Sequence, residues 1–411
     1  MSEFPTDAEG RRVEEALEAL LAEHDPAKMS AAEFRGHQYD AGLAWVHFDE
    51  SAGGMGVRPE LQAPLDRRLR AAGLGTREPV EFFLHLAGPT IATYGTQEQK
   101  DRLLRPMFTG EELWCQLFSE PGAGSDFAGL ACKAELDGDE WVVNGQKVWN
   151  TLAHLADWGM LVTRSDPDAP KHKGMTYFVV DMHSDGMDVR PLRQITGEAE
   201  FNEVYLTDVR IPDSDRLGDV GEGWRVALTT LGNERSAIGG ATTEPKQGSG
   251  PIGNLVDLWC TLPARERDQV TKDRVMELWV RAEVLRLTNL RASAARKAGN
   301  PGPEGSIAKL AFTKLNQDIA EAEVDLIGPA GMVDFDYTFR RPETVNITGE
   351  GMGPGYAFLR SRANTIEGGS SEVMHNILGE QVLGLPGEPR VDKGIPWRDV
   401  PRSSNPRAVG V

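Results

Sequence analysis

Apolar positions near the start of the chain recur at helical spacing. Val13, Ala16, Leu17, Leu20 and Leu21 form one stripe, with Glu14, Glu15 and Glu18 between them, which is the pattern of an amphipathic helix. A Gly-rich loop from Ser51 to Val57 follows, then helix-like text through Met107, punctuated by Pro79, Pro89 and Pro106. The texture changes near Trp114. Short β-rich runs appear at Trp141–Trp149, Trp158–Thr163, Met175–Val180 and Phe201–Val209. Asn144-Gly145 splits the first of these and predicts a two-residue hairpin, because a type I′ turn needs positive φ at both central residues. Asp185-Gly186 predicts another turn. Near Glu222 the helical period returns. Trp224–Ile238 predicts a helix and residues 241–254 a loop or linker. Two long helices are predicted over about 271–298 and 306–327, and a last one over Ser371–Leu383.

The order is helical, then β, then helical, which is not the alternation of a βαβ chain. It predicts a multi-domain protein, mainly α with a central β domain. The boundaries expected are 1–113 for an N-terminal helical domain, 114–221 for the β domain and 222–385 for a C-terminal helical bundle. The tail, 386–411, holds several Pro and Arg residues and reads as an extended arm.

Composition narrows the function. The chain has 411 residues and a net charge of −19. So acidic a chain argues against wrapping nucleic acid or coating an anionic membrane, since both need clustered positive charge. Cys115, Cys132 and Cys260 are three cysteines without a CxxC spacing, so neither a disulfide framework nor a zinc ribbon is predicted. The eight His residues are scattered, and no metal site is expected. The N-terminus lacks an apolar signal stretch, and no run approaches the ~18 apolar residues of a membrane span. The expectation is a cytoplasmic protein.

Several strings carry candidate chemistry. Pro121–Asp126 holds two glycines without the GxGxxG spacing of a phosphate loop. It reads as a structural turn, or as a place where backbone approaches a ligand and Ser125 donates a hydrogen bond. Trp149, with Thr151 two residues on, is either cross-strand packing or a flat face suited to a planar cofactor. His154 reads as structural. Glu234 lies on the apolar helix after Trp224, where a carboxylate is costly unless paired or protonated. It is a helix-surface Glu or a general base with a pKa raised by burial. Glu367-Gly-Gly-Ser-Ser-Glu372 precedes a helix that Ser370 or Ser371 could cap, and its backbone N–H groups could hold a carbonyl oxygen.

Taken together, these strings resemble the flavin-dependent acyl-CoA dehydrogenase family. The resemblance rests on Gln116-Leu-Phe-Ser-Glu-Pro-Gly-Ala-Gly-Ser-Asp126, Asn144-Gly-Gln-Lys-Val-Trp-Asn-Thr151, Phe201–Pro212, Gly223-Trp-Arg225 with Glu234-Arg235, and Glu367–Glu372, in the family's order. It implies a helical N-terminal domain, a β-barrel or sandwich, and a C-terminal four-helix bundle. It implies FAD, an acyl-CoA substrate, an electron-transfer flavoprotein as acceptor, and a homotetramer, homodimer or heterotetramer. The implied reaction takes the pro-R α-proton onto a glutamate and passes the β-hydride to flavin N5, giving the trans-2-enoyl-CoA.

Residue by residue, the resemblance assigns Phe118, Ser119, Trp149 and Thr151 to the isoalloxazine segments. Ser370 and Glu372 fall in the FAD-contacting turn, Ser125 near the pantetheine and Arg235 with the CoA moiety. Gly368 supplies the backbone N–H to the thioester carbonyl and occupies the position where the family usually carries its base. Some members, including isovaleryl-CoA dehydrogenase, carry the base in a Glu-Arg pair on the earlier helix. Here that pair is Glu234-Arg235, so Glu234 is the expected base and Glu367 the runner-up. The family's Arg-x-x-Phe-Gly segment is not found between residues 241 and 273. That departure keeps two alternatives open: a half-site or non-catalytic subunit of a heterotetramer, and a flavoenzyme of this fold acting on a non-CoA substrate.

Overall fold

The computed structural model describes residues 4–75, 80–238, 246–297, 304–333, 338–349, 351–390 and 392–401. The chain divides into two compact units. Residues 1–191, 201–230 and 392–411 form the first, and residues 192–200 and 231–391 the second.

The first unit opens with helices α1 (Ala8–Glu23), α2 (Ala31–Asp40), α3 (Gln62–Ala71), α4 (Val80–Tyr94) and α5 (Gln97–Thr109). The α1 stripe is buried as its period predicts: Val13, Leu17 and Leu20 pack with Phe34, Leu65 and Leu69. Asp7 starts the helix by accepting from the Gly10 N–H at 2.9 Å. Helix α5 begins with a capping box between Thr96 and Gln99 and stops at Gly110, whose φ is 84°. Pro89 and Pro106 do not break the helical text; they lie inside α4 and α5. Pro79 lies outside the described residues.

One eight-stranded sheet follows. Its strands are β1 (Trp114–Leu117), β2 (Lys133–Asp137), β3 (Glu140–Thr151), β4 (Trp158–Arg164), β5 (Met175–Asp181), β6 (Met187–Pro191), β7 (Phe201–Pro212) and β8 (Arg216–Leu217). They run in the order β6-β7-β3-β2-β4-β5-β8, with β1 paired to β4.

The hairpin predicted at Asn144-Gly145 is not there. Strand β3 passes straight through it, and the reversal between β2 and β3 falls at Gly138, with φ 71°. Gly145 instead marks a shift of register against β7. A Cβ on Gly145 would come within 2.8 Å of the Cys132 Cα, so the glycine answers a close backbone approach. The Asn144 side chain exchanges two hydrogen bonds with Asp208, each 2.9 Å. The turn predicted at Asp185-Gly186 does form, with Gly186 at φ 86°.

Helix α6 (Gly223–Ile238) leads into the second unit, which holds α7 (Pro251–Thr261), α8 (Gln269–Lys297), α9 (Glu304–Ile327), α10 (Pro354–Ser361) and α11 (Ser371–Asn376). The loop expected over 241–254 ends earlier than predicted, because Ile252 and Leu255 of α7 are buried with Val275, Leu278, Leu315 and Ile319. Residues 241–245 lie outside the described residues. The last predicted helix is α11 followed by a π-helical turn over Ile377–Val382.

The described tail is not a free arm. Trp397 and Arg398 N–H groups donate to Ala169 and Pro167 carbonyls at 2.9 and 3.0 Å. The Trp397 indole covers the Arg164 guanidinium at 4.9 Å and donates to the Gly129 carbonyl at 3.3 Å.

Gly145→Ala forces a methyl against backbone and is expected to cost about 1–3 kcal/mol. Urea unfolding of the variant beside the wild type measures it.

Candidate active site

In the first unit the candidate residues are organised by one buried ion pair. Along β3, Trp141, Val143, Gly145 and Lys147 share the inward face. Lys147 has no exposed surface, and its Nζ lies 2.8 Å from Glu120 Oε1. It also donates to the Phe118 and Val162 carbonyls at 3.0 and 2.7 Å. The Glu120 carboxylate in turn accepts from the Ala131 and Cys132 N–H groups at 2.7 and 2.9 Å. Every strong donor and acceptor of the pair is therefore engaged, which is the condition under which buried charge is tolerated.

The pair fixes both ends of the loop 118–132 while its middle stays exposed. No atom lies within 4 Å of a Cβ built on Gly122 or Gly124. Ser125 is exposed there. Asp126, next to it, pairs with Lys171 at 2.9 Å. Phe118 is 4% exposed, and its ring packs on Phe127 and Tyr177 at 5.0 and 5.8 Å. What Phe118 offers a ligand is backbone, since its ring belongs to the core. The same aromatic stack continues from Phe127 to Trp224 at the start of α6, 6.0 Å on. Thr230 of α6 is held by Thr90 and Tyr177 hydroxyls at 2.9 and 3.3 Å.

Trp149 does the opposite of a core residue. It is 57% exposed, with φ 62°, and Leu152 nearby has φ 52°. Left-handed backbone at bulky side chains costs about 1–3 kcal/mol each and persists where neighbours over-determine it. Here the register of β3 on β7 shifts between Lys147 and Asn150. Asn150 donates to the Gln116 carbonyl at 2.7 Å, and Asn202 donates to the Asn150 carbonyl at 3.0 Å. Asn202 also meets His154 Nδ1 at 3.2 Å, which gives His154 a structural partner. The Ser119 carbonyl accepts from the Val148 N–H at 2.9 Å. Ser119, Trp149 and the half-buried Thr151 are thus brought to the C-terminal end of β3, with the indole exposed and set at right angles to the Phe201 ring 5.8 Å away.

The second unit holds the remaining candidates. Gly368 and Gly369 have φ of 63° and 98°, a left-handed pair that only glycine adopts without strain. Among the described residues, nothing accepts from the Gly368 N–H. Ser370 caps α11 by accepting from the Val373 N–H at 3.4 Å. Glu372, in its first turn, has its carboxyl held below the usual range by backbone N–H and the Ser370 hydroxyl.

Glu367 is engaged on both oxygens. Arg360 donates to them at 3.1 and 3.0 Å, and Asn364 donates to Oε1 at 2.7 Å. Arg360, 3% exposed, also lies 3.4 Å from Glu200. Burial pushes the Glu200 carboxyl up to about 7; Arg360 opposes the shift, while Glu367 and Glu198 add to it. Glu234 and Arg235 are in the α6 backbone, and their side chains lie outside the described residues.

Sequence reasoning left Glu120, Lys147, Asn150 and Arg360 without a role. The signal for Lys147 was available: a charged residue at an inward position of a strand must have a buried partner.

The helical, β, helical order of the chain is the one expected of a three-domain flavoenzyme, and the comparisons with known proteins agree. Sequence profiles of the acyl-CoA dehydrogenase N-terminal, middle and C-terminal domains match residues 9–111, 115–209 and 221–383. Acyl-CoA dehydrogenase FadE34 of Mycobacterium tuberculosis is 39% identical over 349 residues, 84% of this chain but only 45% of FadE34. The chain therefore spans about half the length of that relative. Acyl-CoA dehydrogenase IpdE1 of the same organism is 36% identical over 350 residues, 85% of this chain and 86% of IpdE1. The crystal structure of the ChsE4-ChsE5 complex from Mycobacterium tuberculosis superposes with a TM-score of 0.67 at 26% identity, covering 94% of this chain and 100% of that one. The chain belongs to the acyl-CoA dehydrogenase family, whose members are FAD-dependent oxidoreductases. The exposed, left-handed Trp149 with Thr151 beside it fits a planar group with a polar rim. Among the described residues no helix is long and apolar enough to cross a membrane.

Two predictions follow from the buried charges. Lys147→Met strands the Glu120 carboxylate and is expected to cost about 3–5 kcal/mol, read by urea unfolding. Coupling predicts that Glu120→Gln and Lys147→Met together cost less than the sum of the two single variants; additive costs would contradict it. Glu200 binds its proton more tightly folded than unfolded, so it favours the fold below its ordinary pKa, and that contribution fades as pH rises towards 7. Relative to Glu200→Gln, the wild type is expected to lose up to about 3 kcal/mol between pH 4.5 and 8, measured by denaturant titration at each pH.

Proposed function

We propose that this chain converts an acyl-CoA thioester to the trans-2-enoyl-CoA, with Glu234 as the base for the α-proton. FAD, when bound, accepts the β-hydride, and the electrons pass on to an electron-transfer flavoprotein. Phe118, Ser119, Trp149, Thr151, Ser370 and Glu372 are the residues that would hold FAD. Ser125 and Arg235 would hold the CoA arm.

The α-proton of a thioester is weakly acidic, so negative charge on the carbonyl oxygen must be met as it develops. Gly368 supplies an N–H with no other acceptor among the described residues. The base needs a free oxygen lone pair and an environment that raises its basicity. The observation that carries the choice is the state of Glu367. Its carboxylate already accepts three hydrogen bonds, two of them from a buried guanidinium. Of the two glutamates that the family resemblance offers, Glu234 on α6 is the one left for the role. Gly368 leaves space beside the thioester, which favours branched or bulky acyl groups, sterol side chains among them.

A second reading has its own observation. The segment between α6 and α8 lacks Arg-x-x-Phe-Gly and carries α7 instead. This favours a site completed by a second, related chain, and the ChsE4-ChsE5 structure is itself a complex of two differently named proteins. Half-occupied flavin in the chain made alone, restored to full occupancy by a co-expressed homologue, would select this reading.

Glu234→Gln is expected to keep its flavin and lose turnover by about 10²–10⁴-fold, in steady-state assays with the thioester that best bleaches the flavin. Near-normal turnover in Glu234→Gln, with collapse in Glu367→Gln, would reverse the assignment.

A further inference from the structure

The turn between the short 3-10 helix Arg362–Thr365 and α11 has little to hold it by itself. Ile366 and Glu367 N–H groups return to the Ala363 carbonyl at 2.8 and 3.0 Å. The next hydrogen bond along the backbone belongs to α11, where the Met374 N–H donates to the Ser370 carbonyl at 3.0 Å. Gly368 and Gly369 lie between, both left-handed, outside any ladder. Two successive glycines are the least ordered link a chain can contain, so their placement must come from outside the turn.

It comes from α9. Lys309 has no exposed surface. Its Nζ donates to the Asn364 carbonyl at 3.0 Å and to the Gly369 carbonyl. These acceptors stand on either side of Gly368. Two turns further along α9, Asn316 donates to Asn364 Oδ1 at 2.7 Å. The Asn364 amide goes on to Glu367 Oε1 and to the Ile347 carbonyl at 3.2 Å. Arg360 grips the Glu367 side chain, whereas Lys309 grips the backbone on both sides of the free N–H.

A buried ammonium is an expensive way to fill space. Desolvating it costs several kcal/mol before its hydrogen bonds offset the loss, and an apolar side chain would fill the position more cheaply. What Lys309 supplies that an apolar residue lacks is two fixed carbonyls and a positive charge behind the turn. The charge also lies close enough to Glu372 to favour its ionised form. A fixed positive charge in a dry region is worth most where negative charge appears during reaction.

We propose that Lys309 is a positioning residue for thioester binding: it aims the Gly368 N–H at the carbonyl oxygen and biases the turn towards developing negative charge. This rests on the reading of Gly368 as the thioester contact. It predicts a defect confined to the carbonyl oxygen.

The test compares two non-reacting ligands on flavin-loaded enzyme. One is the 3-thiaacyl-CoA built on the acyl group that best bleaches the flavin; sulfur at the β position leaves no β-hydride to transfer. The other is the matching CoA thioether, with CH₂ in place of the carbonyl. Binding is measured by calorimetry for wild type, Lys309→Met and Lys309→Gln, each checked for flavin content and circular dichroism. The wild type is expected to prefer the thioester about tenfold, the scale of one good hydrogen bond. In the variants the preference is expected to fall below about twofold, with thioether affinity unchanged within about twofold. Lys309→Gln is the smaller change and keeps the test open if Lys309→Met does not fold. A tenfold preference kept in either folded variant would overturn the proposal. So would an equal loss for both ligands, which is the mark of a merely structural lysine. No preference in the wild type would instead overturn the Gly368 contact, and the role of Lys309 with it.

Discussion

The Lys147–Glu120 pair is the constraint on which the candidate residues of the first unit depend. A lysine without exposed surface sits inside the sheet, and its three donors go to one carboxylate and two carbonyls. The carboxylate is committed to two backbone N–H groups at the far end of the same loop. One buried contact thereby fixes the start of the loop, its end and the strand that carries Trp149. An exposed Gly-rich loop can hold a defined shape only if its ends are fixed in this way.

The second unit repeats the device with different residues. Arg360 and Lys309 are buried cations tied to the segment 364–369, and the N–H of Gly368 remains available. In both units, charge is taken out of water to hold polar groups that face outward. That is costly for stability and useful for preorganisation, because donors fixed in advance need not reorganise as charge develops. The Glu200 carboxyl, pushed up to about 7 by burial while Arg360 opposes the shift, shows how closely balanced such a cluster is.

Much of this was legible in the sequence. The switch from helical to strand period near Trp114 and back near Glu222 matches the extent of the sheet, because period reports which face is buried. The motif strings led to Trp149, Gly368 and Ser370, and to the family. The errors came where local signals compete with tertiary ones. Asn144-Gly145 looks like a turn by itself, yet Gly145 is there because Cys132 presses against it. The start of helix α7 was read as loop, since its Gly-rich residues hide an apolar face that only packing reveals. Nothing in the Pro-rich tail announces that Trp397 would cover Arg164. Long-range ion pairs such as Lys147 with Glu120 leave only half a signal in each string, and the hydrogen bonds from Arg360 and Asn364 to Glu367 leave none.

A thioester dehydrogenase must have its flavin reduced by a CoA thioester. The direct measurement is the visible spectrum of the purified protein, with flavin counted per chain, before and after anaerobic addition of acyl-CoA thioesters from straight-chain to sterol side chain. About one flavin per chain, bleached by one class of thioester, is the predicted result. Full flavin that no CoA thioester bleaches would contradict it, and would leave a family fold put to other chemistry.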